Sequence, residues 1–161
     1  MAETNEEKLD RLGDSPLIVD TLEEHPNFSQ FTEEERKVFA KYCRGKRLNK
    51  EEVLFNEDDL AYSMFIVRKG AIKVLKMGYL GETAIAQINP GEFVGEMAVI
   101  DGSPRSATAK AAVDTELLEL SSDNFSLLKK EDPKIAIKIM DLLLRLLSAR
   151  LRSTTLRMLK K

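Results

Sequence analysis

The sequence predicts a mainly β fold, a small barrel or sandwich flanked by helices, and three observations carry that expectation. Short extended segments follow one another through the middle of the chain at Val53–Phe55, Met64–Val67, Ala71–Leu75, Thr83–Ile88, Ala107–Ala112 and Glu116–Leu120. Arg68-Lys69-Gly70 and Asn89-Pro90-Gly91 punctuate them as turns, with glycine supplying backbone angles that other residues avoid. Helical periodicity appears only before and after this stretch, which leaves little room for βαβ crossovers.

The elements can be justified in chain order. Residues 1–27 are acidic, broken by Gly13, Pro16 and Pro26, and read as a lead segment in which Leu17-Ile18-Val19 could form a short docking turn. A helix follows, because Thr32 and Glu35 form a capping box ahead of the apolar stripe Val38, Phe39 and Tyr42. After the strands, helical spacing returns at Ser122 to Lys130, opened by Ser-Asp capping chemistry, and again from Asp132-Pro133.

That last helix has a polar stripe of Lys134, Lys138, Asp141, Arg145, Ser148 and Arg152 between two apolar ones. One apolar stripe is Ala136, Met140, Leu143, Leu147 and Leu151; the other is Ile139, Leu142, Leu146, Ala149 and Leu156. A helix lying on its own domain buries one stripe, so the second is expected to pair with the same helix of a second copy, giving a homodimer through residues 139–156. The alternative is that both stripes pack within one subunit.

Composition bounds the function. With 43% hydrophobic and 32% charged residues, the 161-residue chain reads as one soluble domain, residues 28–132, with the lead segment before it and the long helix 133–161 after it. No apolar run approaches the ~20 residues of a bilayer span, and the acidic start is unlike a secretory signal, so no membrane association and a cytoplasmic location are expected. Cys43 is the only cysteine and His25 the only histidine, which leaves too few ligands for a zinc or iron site of the usual type. Cys43 reads as a small buried hydrophobe. No metal, no cofactor and no enzymatic activity are expected; a cupin-like oxygenase or isomerase, the nearest enzyme alternative, normally needs two or three histidines around a metal. Eleven acidic side chains against two basic ones in residues 1–35 face eight basic against one acidic in residues 134–161. The basic tail reads as a solvated helix face rather than a nucleic-acid surface.

The informative segment is GEFVGEMAVIDGSPRSATA, residues 91–109. Gly95 lets a ligand approach the backbone, and the residues after it can form one helical turn whose free N–H groups point at an anion. Arg105 can make two parallel charge-assisted bonds to phosphate oxygens, Ser106 can add a donor, and Ala107 is small enough for a ring to lie close. Glu96 would be misplaced against a phosphate but suits a ribose hydroxyl. Singly, Arg105 and Glu96 could be a surface ion-pair residue and an exposed carboxylate; the argument rests on their spacing.

At these residues the chain resembles the cyclic-nucleotide-binding domain family of the catabolite activator protein and the regulatory subunits of cyclic-AMP-dependent protein kinase. FVGEMAV and PRSATA occupy the places of that family's phosphate-binding cassette, and the resemblance extends over roughly residues 30–158. It implies a double-stranded β-roll (jelly roll) with an N-terminal helix and a long C-terminal helix. It also implies that Glu96 binds the ribose 2′-hydroxyl, that Gly95 and Met97 line the sugar and phosphate, that Arg105 with Ser106 holds the cyclic phosphate, and that Ala98 and Ala107 belong to the same ligand-binding set. RLLSARLRSTTLRM is similar to the family helix that dimerises and presents hydroxyls to the base, which places Thr154 and Thr155 there; they could also simply face water. One departure is visible: Glu51 and Asp58 stand where glycines are common in the first turns, which puts the early loop shape in doubt.

The expected function is a stand-alone sensor of cyclic AMP or cyclic GMP. The two threonines tilt toward adenine, and the long helix would report to an effector protein that the sequence does not identify. The alternatives are a ligand-free dimerisation or scaffold module, or a fragment of a helix-turn-helix regulator. Direct nucleic-acid binding is not expected, since the sequence ends at Lys161, where such a motif would follow.

Overall fold

The computed structural model describes Leu22 and residues 25–160. The proposed docking turn at Leu17-Ile18-Val19 lies outside the described residues. After a 3₁₀ turn at Pro26–Phe28, α1 spans Glu33–Tyr42. Its N-terminus is closed by the capping box that the spacing predicts: the Glu35 amide donates to the Thr32 hydroxyl at 3.1 Å, and the Thr32 amide donates to the Glu35 carboxylate at 3.0 Å.

The strands are β1 (Arg44–Leu48), β2 (Val53–Phe55), β3 (Ser63–Lys69), β4 (Ile72–Gly78), β5 (Gly81–Ile88), β6 (Phe93–Val94), β7 (Thr108–Ala111) and β8 (Thr115–Ser121). Between them, α2 (Glu96–Asp101) follows β6, and α3 (Ser122–Glu131) and α4 (Pro133–Leu159) follow β8. Two antiparallel four-stranded sheets, ordered β1-β8-β3-β6 and β2-β7-β4-β5, form the roll. The six expected strands are present with shifted ends, and β1 and β6 are additional. β1 reads RGKRL, whose charged majority hides its buried residues Gly45 and Leu48 on opposite faces, and two-residue β6 is too short to show a period.

The alternation of β3 and β8 divides the core in two. Met64, Ile66, Leu118 and Leu120 face the helices, where they meet Phe28, Phe39, Phe93, Leu128 and Ile139. Their neighbours Phe65, Val67 and Leu117 face inward between the sheets, against Ile72, Ile88, Val94 and Ala109. Burial on both faces explains why β3 reads as a continuous apolar run. Cys43 is buried in the helix-facing core, and burial pushes its thiol well above the usual range.

Two sequence expectations need correction. Helix α3 is capped by Ser121 rather than Ser122: the Ser121 hydroxyl accepts from the Asn124 amide at 3.1 Å, while the Ser122 amide donates to the Tyr62 carbonyl at 2.8 Å. On α4, the stripe expected to meet a second copy turns inward at its start, because Ile139 and Leu142 are buried and Leu146 packs on the same core. Ala136 and Leu143 of the other stripe are buried there too, since α4 lies in the angle between α1 and α3. Of the apolar residues left exposed, Ile137, Leu144, Leu151 and Met158 form a row at seven-residue intervals, and Leu156 and Leu159 are exposed beside its end.

Polar contacts tie α4 to the rest. Lys138 Nζ donates to the Gln30 carbonyl at 2.9 Å and to the Glu35 carboxylate at 2.7 Å, and that bond holds the Glu35 carboxyl below its ordinary range. The Tyr42 hydroxyl lies 2.6 Å from a carboxylate oxygen of Asp132, the residue joining α3 to α4. Among the described residues no helix is long and apolar enough to cross a membrane.

Candidate anion and sugar site

The site is assembled where β6, α2 and the segment before β7 converge. Gly95 caps α2 with φ of +78°, the left-handed region, and Gly102 closes the helix with φ of +72°. A Cβ built at Gly95 would lie 2.5 Å from Arg105 Nη1, so glycine is required by backbone angle and by space together. The Asp101-Gly102-Ser103-Pro104 turn then returns the chain, and the Ser103 amide donates to the Asp101 carboxylate at 2.9 Å.

Arg105 is 5% exposed. Its Nη1 donates to the Gly95 carbonyl at 2.8 Å and its Nη2 to the Ser63 carbonyl at 2.6 Å. The guanidinium also lies over the Phe55 ring, 4.1 Å from the centroid. Both hydrogen-bonding partners are neutral carbonyls, and among the described residues Arg105 forms no ion pair. Its Nε is buried without a partner. Desolvation lowers the guanidinium's pKa, although a guanidinium keeps its charge at any ordinary pH. The carboxylates of Asp59, Glu119 and Glu96 act on it only through space and offset that desolvation in part, so a buried cation hydrogen-bonded to neutral carbonyls, with its Nε–H unpartnered, is prepared to take an anion.

Glu96 opens α2 and is 4% exposed. Its Oε1 accepts from Arg150 Nη1 of α4 at 2.7 Å, and Arg150 Nη2 donates to the Phe93 carbonyl. The acceptor expected for the sugar is therefore linked directly to the long helix. Sequence reasoning passed over Arg150 as one more solvated cation of a basic tail. The signal that could have found it is its place one helical turn before Thr154, on the face that turns toward the roll.

The remaining predicted residues fall into two groups. Ala98 and Ala107 are buried beside Glu96 and Arg105, whereas Met97 and Ser106 are exposed next to them. Thr154 and Thr155 are exposed on α4, and their hydroxyls donate to the carbonyls of Arg150 at 2.9 Å and Leu151 at 3.0 Å in their own helix. The structure thus brings Gly95, Glu96, Ala98, Arg105 and Ala107 together and leaves the threonines further along the helix. The end of α4 nonetheless reaches the second sheet, since Arg157 Nη1 lies 3.5 Å from the Ile85 carbonyl of β5. The early turns, whose shape the sequence left in doubt, take left-handed angles at Glu51 and Asp58, with φ of +73° and +68°.

Comparison with known proteins gives this geometry a context. The family model described as cyclic nucleotide-binding domain matches residues 45–132. A cyclic AMP receptor protein of Thermus thermophilus is 31% identical over 121 residues, 74% of this chain and 56% of that protein. A cyclic nucleotide-gated potassium channel of Mesorhizobium japonicum is 41% identical over 73 residues, 45% of this chain but only 19% of the channel. The chain therefore spans little more than half of one of these relatives and about a fifth of the other. In solved structures, a cyclic nucleotide-binding domain from Methylobacillus flagellatus superposes with a TM-score of 0.80 at 30% identity, covering 94% of this chain and 84% of that one.

Proposed function

Because the chain belongs to the cyclic nucleotide-binding domain family, we propose that it is a regulatory sensor that binds cyclic AMP in preference to cyclic GMP and signals through α4. The observation that carries this reading is the buried guanidinium of Arg105 beside Gly95, hydrogen-bonded only to carbonyls and with its Nε–H unpartnered. A cyclic phosphodiester supplies one negative charge, and the free Nε–H together with the Ser106 donors can meet its oxygens. The ribose 2′-hydroxyl then donates to the Glu96 carboxylate, which favours ribose over deoxyribose.

The preference for adenine rests on Thr154 and Thr155. Each hydroxyl spends its proton on its own helix and keeps acceptor lone pairs. Such a group accepts from the 6-amino group of adenine, whereas guanine presents an acceptor at that position. Calorimetric titration with cyclic AMP, cyclic GMP and 2′-deoxy cyclic AMP tests the proposal. Tightest binding of cyclic AMP, with a penalty of about 1 to 2 kcal/mol for the deoxy analogue, supports it. No binding of either cyclic nucleotide overturns it.

The Glu96–Arg150 pair supplies the route to α4. A ligand hydroxyl arriving at Glu96 competes with Arg150 for the same carboxylate, so bound and free states hold the helix with different strength. An effector protein, or a second copy, reads that difference; the domain itself binds rather than catalyses. The exposed row of Ile137, Leu144, Leu151 and Met158 recurs every seven residues, as one of the two apolar positions of a heptad does, and gives two α4 helices an apolar edge to pack along. Leu151→Glu is expected to give monomers in equilibrium sedimentation where the parent chain is a dimer. A dimeric Leu151→Glu variant would assign that row to another role.

A further inference from the structure

Lys76 of β4 is an unassigned cation at the edge of the cassette. Its Nζ donates to the Ser106 carbonyl at 2.7 Å and pairs with the Glu57 carboxylate. Two backbone bonds and one from backbone to side chain run alongside. The Arg105 amide donates to the Asp59 carbonyl at 2.9 Å, the Asp58 amide to the Arg105 carbonyl at 2.9 Å, and the Glu57 amide to the Thr108 hydroxyl at 3.0 Å. Residues 57–59 thus brace Arg105 and Thr108, and Asp58 makes this possible by turning with φ of +68°. Ser106 lies between these braces, and among the described residues its only polar contact is Lys76 on its carbonyl; its amide and hydroxyl take none.

We infer that Lys76 is a positioning residue for the phosphate, acting through the Ser106–Ala107 peptide; this rests on the cyclic-nucleotide reading above. A trans peptide is planar, with its C=O and N–H directed oppositely. Fixing the Ser106 carbonyl toward β4 therefore aims the Ala107 N–H the other way and limits the rotation of Ser106, whose own donors lie next to Arg105. The ammonium also polarises that peptide, which strengthens its N–H as a donor to an anion. Glu57 keeps the lysine in place and offsets its charge, so the lysine serves the backbone instead of drawing the phosphate away from Arg105. The Lys76 side chain is 47% exposed, so the fold depends little on it.

The test is calorimetry with cyclic AMP and cyclic GMP on the parent chain, Lys76→Met and Lys76→Arg, at low salt and at about 1 M salt. Lys76→Met is expected to weaken both nucleotides by the same factor, about tenfold, because they share the phosphate, while its melting temperature stays within about 1 °C. Lys76→Arg, which can still donate to the carbonyl, is expected to recover most of the loss. The tenfold factor should persist at high salt. Parent-like affinity in Lys76→Met, or a loss that disappears at high salt, overturns the inference and marks Lys76 as a screened surface charge. A parent chain that binds neither nucleotide overturns the functional reading itself and this inference with it.

Discussion

Replacing Arg105 with leucine is expected to weaken cyclic nucleotide binding by at least about a hundredfold while leaving the ligand-free fold as stable as before, or more so. The two effects have opposite signs for one reason. In the free protein the guanidinium is buried and hydrogen-bonded only to the carbonyls of Gly95 and Ser63, so folding bears a desolvation that the carboxylates of Asp59, Glu119 and Glu96 offset only in part. Leucine loses two hydrogen bonds but removes that charge and still packs against Phe55 and Phe65. With ligand present the balance reverses, because two charge-assisted bonds to phosphate, each worth about 1.5 to 3 kcal/mol, are gone. Calorimetry for affinity and thermal unfolding for stability check both halves. A large drop in the melting temperature of the ligand-free variant would mean that Arg105 is a structural strut.

Gly95→Val is expected to abolish measurable binding and to lower the melting temperature by about 5 °C or more. The left-handed φ of +78° costs a β-branched residue about 1 to 2 kcal/mol, and the new Cβ would sit 2.5 Å from Arg105 Nη1 and 3.1 Å from Phe55. Relief of that contact moves the guanidinium off the Gly95 carbonyl, and the anion partner leaves its place. Gly102→Ala is the control, since its φ is +72° and nothing lies within 4 Å of its added Cβ. It should lose about 1 kcal/mol of stability and keep its affinity. Equal losses of affinity in the two variants would reduce the role of Gly95 to backbone strain alone.

The legible part of this molecule was what local chemistry repeats. The Thr32 capping box, the turns at Gly70 and Gly91 and the short extended segments β3, β4, β5 and β8 between such turns each follow from spacing within a few residues, so their positions could be read directly. The cassette was legible for a related reason: its glycine, carboxylate and arginine are separated by short fixed intervals. What escaped depends on contacts between distant segments. Arg150 meets Glu96 across 54 positions of sequence, and Lys76 meets Ser106 across 30. Neither pairing leaves a local pattern. The faces of α4 escaped for another reason, since a helix rich in leucine offers several overlapping stripes and only its neighbours α1 and α3 decide which is buried. Glu51 and Asp58 put the early loop shape in doubt, and the left-handed angles found there show that the turns keep a glycine-like shape without glycine.

The central claim is that the buried Arg105 guanidinium binds the ligand's anion, and its unpartnered Nε–H is the most direct witness. In a ¹H–¹⁵N spectrum of the arginine side chains, assigned with Arg105→Leu, addition of cyclic AMP is predicted to shift the Arg105 Nε–H resonance downfield and to protect it from exchange. A resonance that stays in place while cyclic AMP is shown to be bound would contradict the account.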